Sequence, residues 1–251
     1  MDNAGNRAVH ALHGAIIDAR AKEGATSGYG LNAAKNCRGS IAVLASAGAT
    51  IEAPELDVSG AAARGFVSAD ASIINAYKAK ANDCKSYGFM AERGSTIACA
   101  ESEADRCNTG YYASDASTID AYEAKASNCE YGVYATRMSN INVEGGIFNN
   151  CGRGVQSMSA SKINAKDTTC TNSRTRAFSI IDGGVADINN ANSTGATGFE
   201  LTLRDGGIVH ASNYNGNIDL RDGGGIVFNR GGTGTLSQAA NTNTNNGIIY
   251  R

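Results

Sequence analysis

The chain has 251 residues with 31 glycines, one proline, no tryptophan and only 6% aromatics, too few bulky side chains for a conventional globular core. With 42% hydrophobic and 18% charged residues it is equally far from a disordered polyelectrolyte. A net charge of −2 with scattered Lys and Arg excludes the basic footprint of a nucleic-acid binder, and no apolar run approaches the roughly 18 residues of a membrane span.

In chain order, the opening MDNAGNRAVH lacks the basic and apolar regions of a signal peptide. A chain made in the cytosol, and released if at all by lysis, is expected. Residues 1–64 read as irregular coils and a candidate attachment region. Within them AVHALHGAIIDAR (8–20) places Ile16 and Ile17 in register with Ile73 and Ile74 further on, and Ile51 stands 23 residues before Ile74. The stretch Tyr29–Ala47 breaks the pattern.

Residues 65–197 carry the repeat. Gly65, Gly88, Gly110, Gly132 and Gly154 are spaced 23, 22, 22 and 22 apart. GFVSADASIINAYKAKANDC from Gly65 and GYYASDASTIDAYEAKASNC from Gly110 agree at eleven of twenty positions. Seven residues past each glycine stands Ser72, Ser95, Ser117, Ser139 or Ser161, and two further on Ile74, Ile97, Ile119, Ile141 or Ile163. Two beyond these come Ala76, Cys99, Ala121, Val143 and Ala165, while the intervening Asn75, Asp120, Asn142 and Asn164 are polar. A step of two is strand periodicity, apolar in and polar out.

A second inward column follows (Ala81, Ala104, Ala126, Phe148, Cys170), and then Cys84, Cys107, Cys129 and Cys151. Each glycine, followed by Phe66, Phe89, Tyr111, Val133 or Val155, is expected to make a corner and a strand start. Short strands joined by turns describe one coil of a right-handed parallel β-helix, about 22 residues per coil. AYKAKA and AYEAKA look locally helical, but a helical array is rejected because a continuous helix would not tolerate Gly, Ser and Asn at fixed places.

Residues 198–251 read as shorter coils and a C-terminal cap or oligomerisation segment. Phe178 and Phe199 keep the corner column, LRDGGIV (203–209) and LRDGGGIV (220–227) recur 17 apart, and GTLSQAANTNTNNGIIYR closes the chain. Nine or ten coils at about 4.8 Å give a rod about 45–50 Å long.

The cysteine column reads first as a stack of buried thiols, like on like. A disulfide is the weaker reading, since equivalent Cβ atoms one coil apart lie about 4.8 Å from each other, long for a bridge. The unregistered Cys37 is a candidate for a bridge between subunits. Zinc finds no support: no C-x-x-C occurs and His10, His13 and His210 lie outside the column. The serines have no recurring histidine, so they are expected to bond the backbone locally at a corner rather than act as nucleophiles. Asp70, Asp115, Asp205 and Asp222 raise the possibility of paired carboxylates for glycoside hydrolysis, yet aspartate before Gly or Ala-Ser is ordinary turn chemistry. Tyr77 and Tyr122 offer either a shallow sugar platform or packing against a neighbouring subunit. No catalytic residue, metal ligand or cofactor is assigned.

Lines such as GYYASDASTIDA, GVYATRMSNINV and GVQSMSASKINA, with the closing LSQAANTNTNNGIIYR, resemble coils and ends of bacteriophage tail-fibre and tailspike β-helix proteins. The resemblance implies a homotrimer of β-helices side by side, joined to other virion proteins by an N-terminal adaptor. It also implies binding or cleavage of bacterial surface polysaccharide. No catalytic motif of that family maps onto a residue here, and little precedes the first coil. The expectation is therefore a structural or receptor-binding virion spike, fibre, collar or baseplate appendage. A polysaccharide hydrolase or lyase is the alternative, and a non-viral adhesin or ice-binding rod the second. Open solenoid ends need a cap or partner, which gives the polar C-terminal segment a reason to trimerise.

Overall fold

The computed structural model describes residues 8–19, 34–214, 216–221, 225–228 and 248–250, with side chains as far as residue 221. Most of the polar closing segment, the early part of the irregular stretch and Asp222 lie outside the described residues. Every regular element among the described residues is a strand. The chain winds as a parallel β-helix.

Two long parallel sheets run along it. The first has ten strands, from Val9–Leu12 and Ile41–Ser46 through Arg64–Ala69 and its successors to Ile218–Arg221. The second has eleven, from Ile16–Asp18 through Ile73–Asn75 to Ile248–Tyr250. A third side is a ladder of single bridges: Asp57, Lys80, Glu103, Lys125, Ile147, Thr169 and Asn192. Seven coils therefore carry all three sides.

The registers follow the sequence columns. Ile17, Ile51, Ile74, Ile97, Ile119, Ile141 and Ile163 pair in succession across the second sheet. From Ile51 onward these isoleucines are buried, each contributing about 1.5–3 kcal/mol of apolar transfer. Leu203 pairs with Leu220, so the short 17-residue step is a real tightening.

The corners are made by left-handed backbone. Asp70 and Ala71 both have positive φ, 55° and 59°, and the pattern repeats at Asp115 and Ala116. The turn role of these two aspartates is thus visible in their conformation.

The glycine column is not at a corner, contrary to expectation. Gly65, Gly132 and Gly154 sit second in first-sheet strands, at Arg64–Ala69, Tyr131–Ala135 and Arg153–Ser157. A Cβ on Gly110 would lie 2.5 Å from the Ala126 Cβ and 2.7 Å from the Gly132 carbonyl oxygen. Glycine is required because the third side closes against the first sheet at this point. Large side chains are therefore shared out between the two. Phe66, Phe89 and Tyr111 stack on the first sheet at 4.9 and 5.2 Å, opposite small Ala81, Ala104 and Ala126. One coil on, Val133 is small and Phe148 of the third side fills the space, edge-on to Tyr111 at 6.4 Å. The buried Tyr111 hydroxyl is satisfied by the Ser102 carbonyl at 2.9 Å and the Ser102 hydroxyl.

The serine column is buried, but its bonds are not local. Ser72, Ser95, Ser117 and Ser161 each accept, at Oγ, a backbone N–H from the preceding coil: Ala49, Ser72, Ser95 and Ser139, at 3.1–3.3 Å. The hydroxyl reaches the coil below because parallel stacking sets successive strands only about 4.8 Å apart. The Ser139 hydroxyl breaks the chain and has no partner. Ser117→Ala, which orphans the buried Ser95 N–H, should cost about 1–3 kcal/mol, whereas Ser139→Ala should be near neutral. Urea melts of the two variants check the contrast; equal losses would refute it.

Candidate functional site

All seven cysteines are buried and none forms a disulfide. Cys107, Cys129 and Cys151 point their thiols at the carbonyls of Ala81, Ala104 and Ala126 in the coil below, at 3.1, 3.3 and 3.2 Å. Cys37 is in register after all: Ala62 N–H donates to the Cys37 carbonyl just as Gly152 N–H donates to Cys129, which puts Ala61 between Cys37 and Cys84 in one column. The contact with the Cys84 thiol and then burial push Cys107 upward, the Cys151 thiol and burial do so for Cys129, burial and then the Asp120 charge raise Cys99, and burial raises Cys170. Thiols held protonated in this way are poor nucleophiles. A disulfide-forming reagent should titrate almost none of them in the native protein within minutes and all seven in guanidinium; rapid native labelling would contradict the burial. Among the described residues no group of three or more His, Cys, Asp or Glu could hold a metal ion.

The other recurring residues are also occupied by stacking. Asn142 donates to Asp120 at 2.8 Å, and Asn164 donates to Asn142 at 3.0 Å and to Glu144 at 2.9 Å. At the third corner Asn82 and Asp105 each accept, at 2.7 Å, the backbone N–H of Asp105 and Ser127 one coil on. Oppositely charged residues stack between coils: Arg106 on Asp83 at 2.6 Å, Lys80 on Glu103 at 3.1 Å, Arg137 on Asp115 at 3.0 Å, and Arg93 on Asp70. The Arg106 and Arg93 guanidiniums hold Asp83 and Asp70 below the usual carboxylate range. These side chains are about half exposed, so each pair contributes little to stability. Tyr77 and Tyr122 stand partly exposed two coils apart, and the Tyr77 hydroxyl donates to Glu101 at 2.7 Å.

The outer face of the first sheet is different. Its early strands carry a second apolar cluster of Ile41, Leu44, Val67 and Met90, with Tyr87 and Tyr112 packed on it. Tyr112 meets Tyr134 edge-on at 5.5 Å, and Tyr134 stacks on Tyr131 at 5.1 Å. Beyond Tyr131 the face becomes an arginine-walled trough. One wall is the column Tyr131, Arg153, Arg176, Phe199, in register strand by strand. The other is Ile181, Arg204, Arg221. Between them lies a floor of Gln156, Ser179, Thr202 and Asp219, all at most 6% exposed. Two adjoining open depressions of about 490 and 300 Å³ share Arg153, Arg176 and Arg221, each within the size range of small-ligand sites.

The arginines are held in place unequally. Arg204 pairs with Asp205 at 2.9 Å, Arg174 with Glu130 at 3.2 Å, and Arg221 with Asp219. Arg153 is instead gripped by the Tyr131 hydroxyl, with its guanidinium 5.0 Å from that ring. Among the described residues Arg176 has no carboxylate within ion-pair distance. Burial, and then Arg153 and Arg221, push its pKa down. Three buried polar atoms here lack partners: Arg153 Nε, Thr202 Oγ1 and Asp219 Oδ1.

Of the residues singled out from the sequence, Phe199 and the arginines of the LRDGG repeats lie in this trough. Phe199 pairs with Arg176, while Leu201, not Phe199, continues the Phe178 column. The ladder serines, isoleucines and cysteines all face inward. The signal for the trough was nevertheless present one position before the glycine column, where Arg64, Tyr87, Tyr131 and Arg153 recur, and in the arginine of LRDGG. Turn chemistry accounts for the LRDGG aspartates but says nothing of the arginines beside them.

No protein-family model matches the chain, and no curated protein matches its sequence.

Proposed function

We propose that the chain is a structural and receptor-binding component of a virion, a phage spike, fibre or collar appendage in which three copies stand side by side. The observation that carries this reading is the division of labour between inside and outside. Recurring Ser, Ile and Cys are consumed by stacking, while one outer face gathers aromatic and basic side chains along successive strands of a regular scaffold. Such a face suits an extended ligand on a cell surface, because tyrosine rings cover apolar sugar faces and guanidiniums bond their oxygens. A polysaccharide-cleaving enzyme is the second reading, favoured by the buried Asp219 carboxylate oxygen without a partner at the trough.

The test is adsorption of fluorescently labelled full-length protein to a panel of bacterial strains, with light scattering for the oligomer. A trimer retained by one or a few strains supports the proposal. A monomer, or no retention by any strain, sinks it. Oligosaccharide released from the retained cells would move the assignment to the enzyme.

A further inference from the structure

We propose that the trough between the Arg153–Arg176 and Arg204–Arg221 columns binds an acidic glycan, its carboxylate or phosphate groups seated between Arg153 and Arg176. This rests on the surface-binding reading above and names the ligand chemistry.

The trough is an exception in how the rod handles charge. At several other points along the rod a basic side chain meets an acidic one in the next coil, as at Arg106 on Asp83 or Lys80 on Glu103. In the strand registers, basic residues lie directly on basic residues at two places, Arg153 on Arg176 and Arg204 on Arg221, and the two are side by side on one face. Like charges directly opposite in a sheet are destabilising, and partial burial removes the water that would screen them. Arg221 and Arg204 have their own carboxylates. Among the described residues Arg153 and Arg176 have none, so the trough keeps a positive excess that an anion would neutralise. Asp219 is the acid on the floor, and its Oδ2 is already engaged by Arg221.

The remaining polar groups suit a sugar. Thr202 Oγ1 and Arg153 Nε are buried and unpartnered, and such groups cost free energy unless a ligand or water completes them. Tyr131 and Phe199 flank the arginines in their own column, offering ring surface at both ends of the pair. A planar guanidinium bonds a carboxylate or phosphate with two parallel hydrogen bonds. The ladder then repeats along the rod at about 4.8 Å per strand, close to the length of one pyranose unit, so successive residues of a glycan meet successive coils.

The experiment measures fluorescence anisotropy of end-labelled hexagalacturonate, a glycerol-phosphate hexamer and maltohexaose with the full-length protein, at low and at physiological salt. At least one of the two anionic probes should bind, more weakly as salt rises, and maltohexaose should not. Whichever anionic probe binds identifies the acid group as carboxylate or phosphate. Arg153→Gln/Arg176→Gln should weaken binding by at least about tenfold, the loss of charge-assisted hydrogen bonds, while Arg106→Gln at the third corner should leave it unchanged. The double variant should also melt higher by about 1–3 °C, because a like-charge contact is gone; a purely structural pair would melt lower. Failure of both anionic probes, or equal binding by the double variant, overturns the trough. Cells that retain wild type and double variant alike would also overturn it while leaving the surface-binding role standing. Probe binding without retention on any cell would do the reverse.

Discussion

Phe148→Ala is expected to destabilise the rod by about 3–5 kcal/mol, the range for emptying a large buried aromatic site. The ring is fully buried, lies edge-on to Tyr111, and fills the space that Val133 leaves on the first sheet. The cavity cannot collapse easily, because the coils above and below hold the backbone through parallel ladders on both sides. Adding Val133→Phe to the same chain should recover much of the loss. It returns the large residue to the column of Phe66, Phe89 and Tyr111, where the third side below already carries alanine. Denaturant melts of the two single variants and the double give the coupling, and residues in contact commonly couple by 0.5–3 kcal/mol, roughly. A double variant no more stable than Phe148→Ala would show that the exchange of large and small residues is not what shapes this core.

Gly110→Ala is the second large effect. Its new Cβ would stand 2.5 Å from the Ala126 Cβ and 2.7 Å from the Gly132 carbonyl oxygen. The carbonyl belongs to the neighbouring strand and cannot turn away without breaking the ladder, so a cost of about 3 kcal/mol is expected, at the upper end for overpacking. Ala126→Gly in the same chain should relieve the side-chain part alone, leaving the variant well short of wild type. Gly94→Ala is the contrast. A Cβ there meets nothing within 4 Å but would sit at φ +71°, so its cost is the left-handed conformation, about 1 kcal/mol. Thermal melts of the three variants rank them, and a Gly110→Ala variant as stable as Gly94→Ala would contradict the close approach of the third side.

These two sites mark where the sequence was legible and where it misled. The near-constant spacing of Gly65 to Gly154 identifies the coil, but the sequence suggests corners for these glycines, where glycine is most often needed for its backbone freedom. They are strand residues whose missing side chain makes room for Ala81, Ala104, Ala126, Phe148 and Cys170. A column is visible in one dimension; what it faces is not. The serines show the same limit. Their repetition announced a structural role, yet their hydrogen bonds span 22 or 23 residues, which no local pattern exposes. Cys37 does not show its register in the sequence because Ala61, not a cysteine, occupies the coil between it and Cys84.

The linear chain by itself determined the period, the strand through Ser, Ile and Ala, and the inward placing of the ladder cysteines. Parallel in-register stacking writes like residue above like residue, and that regularity survives in a string of letters. Only the tertiary structure decided which faces meet and which stay open. The arginines come from separate positions in separate lines, Arg153 and Arg176 before one strand's inward residue and Arg204 and Arg221 at the end of another. Their likeness is across coils, not along the chain. They become a trough only when the strands lie side by side, because charge repulsion and burial depend on distance through space, and neither follows from separation in sequence.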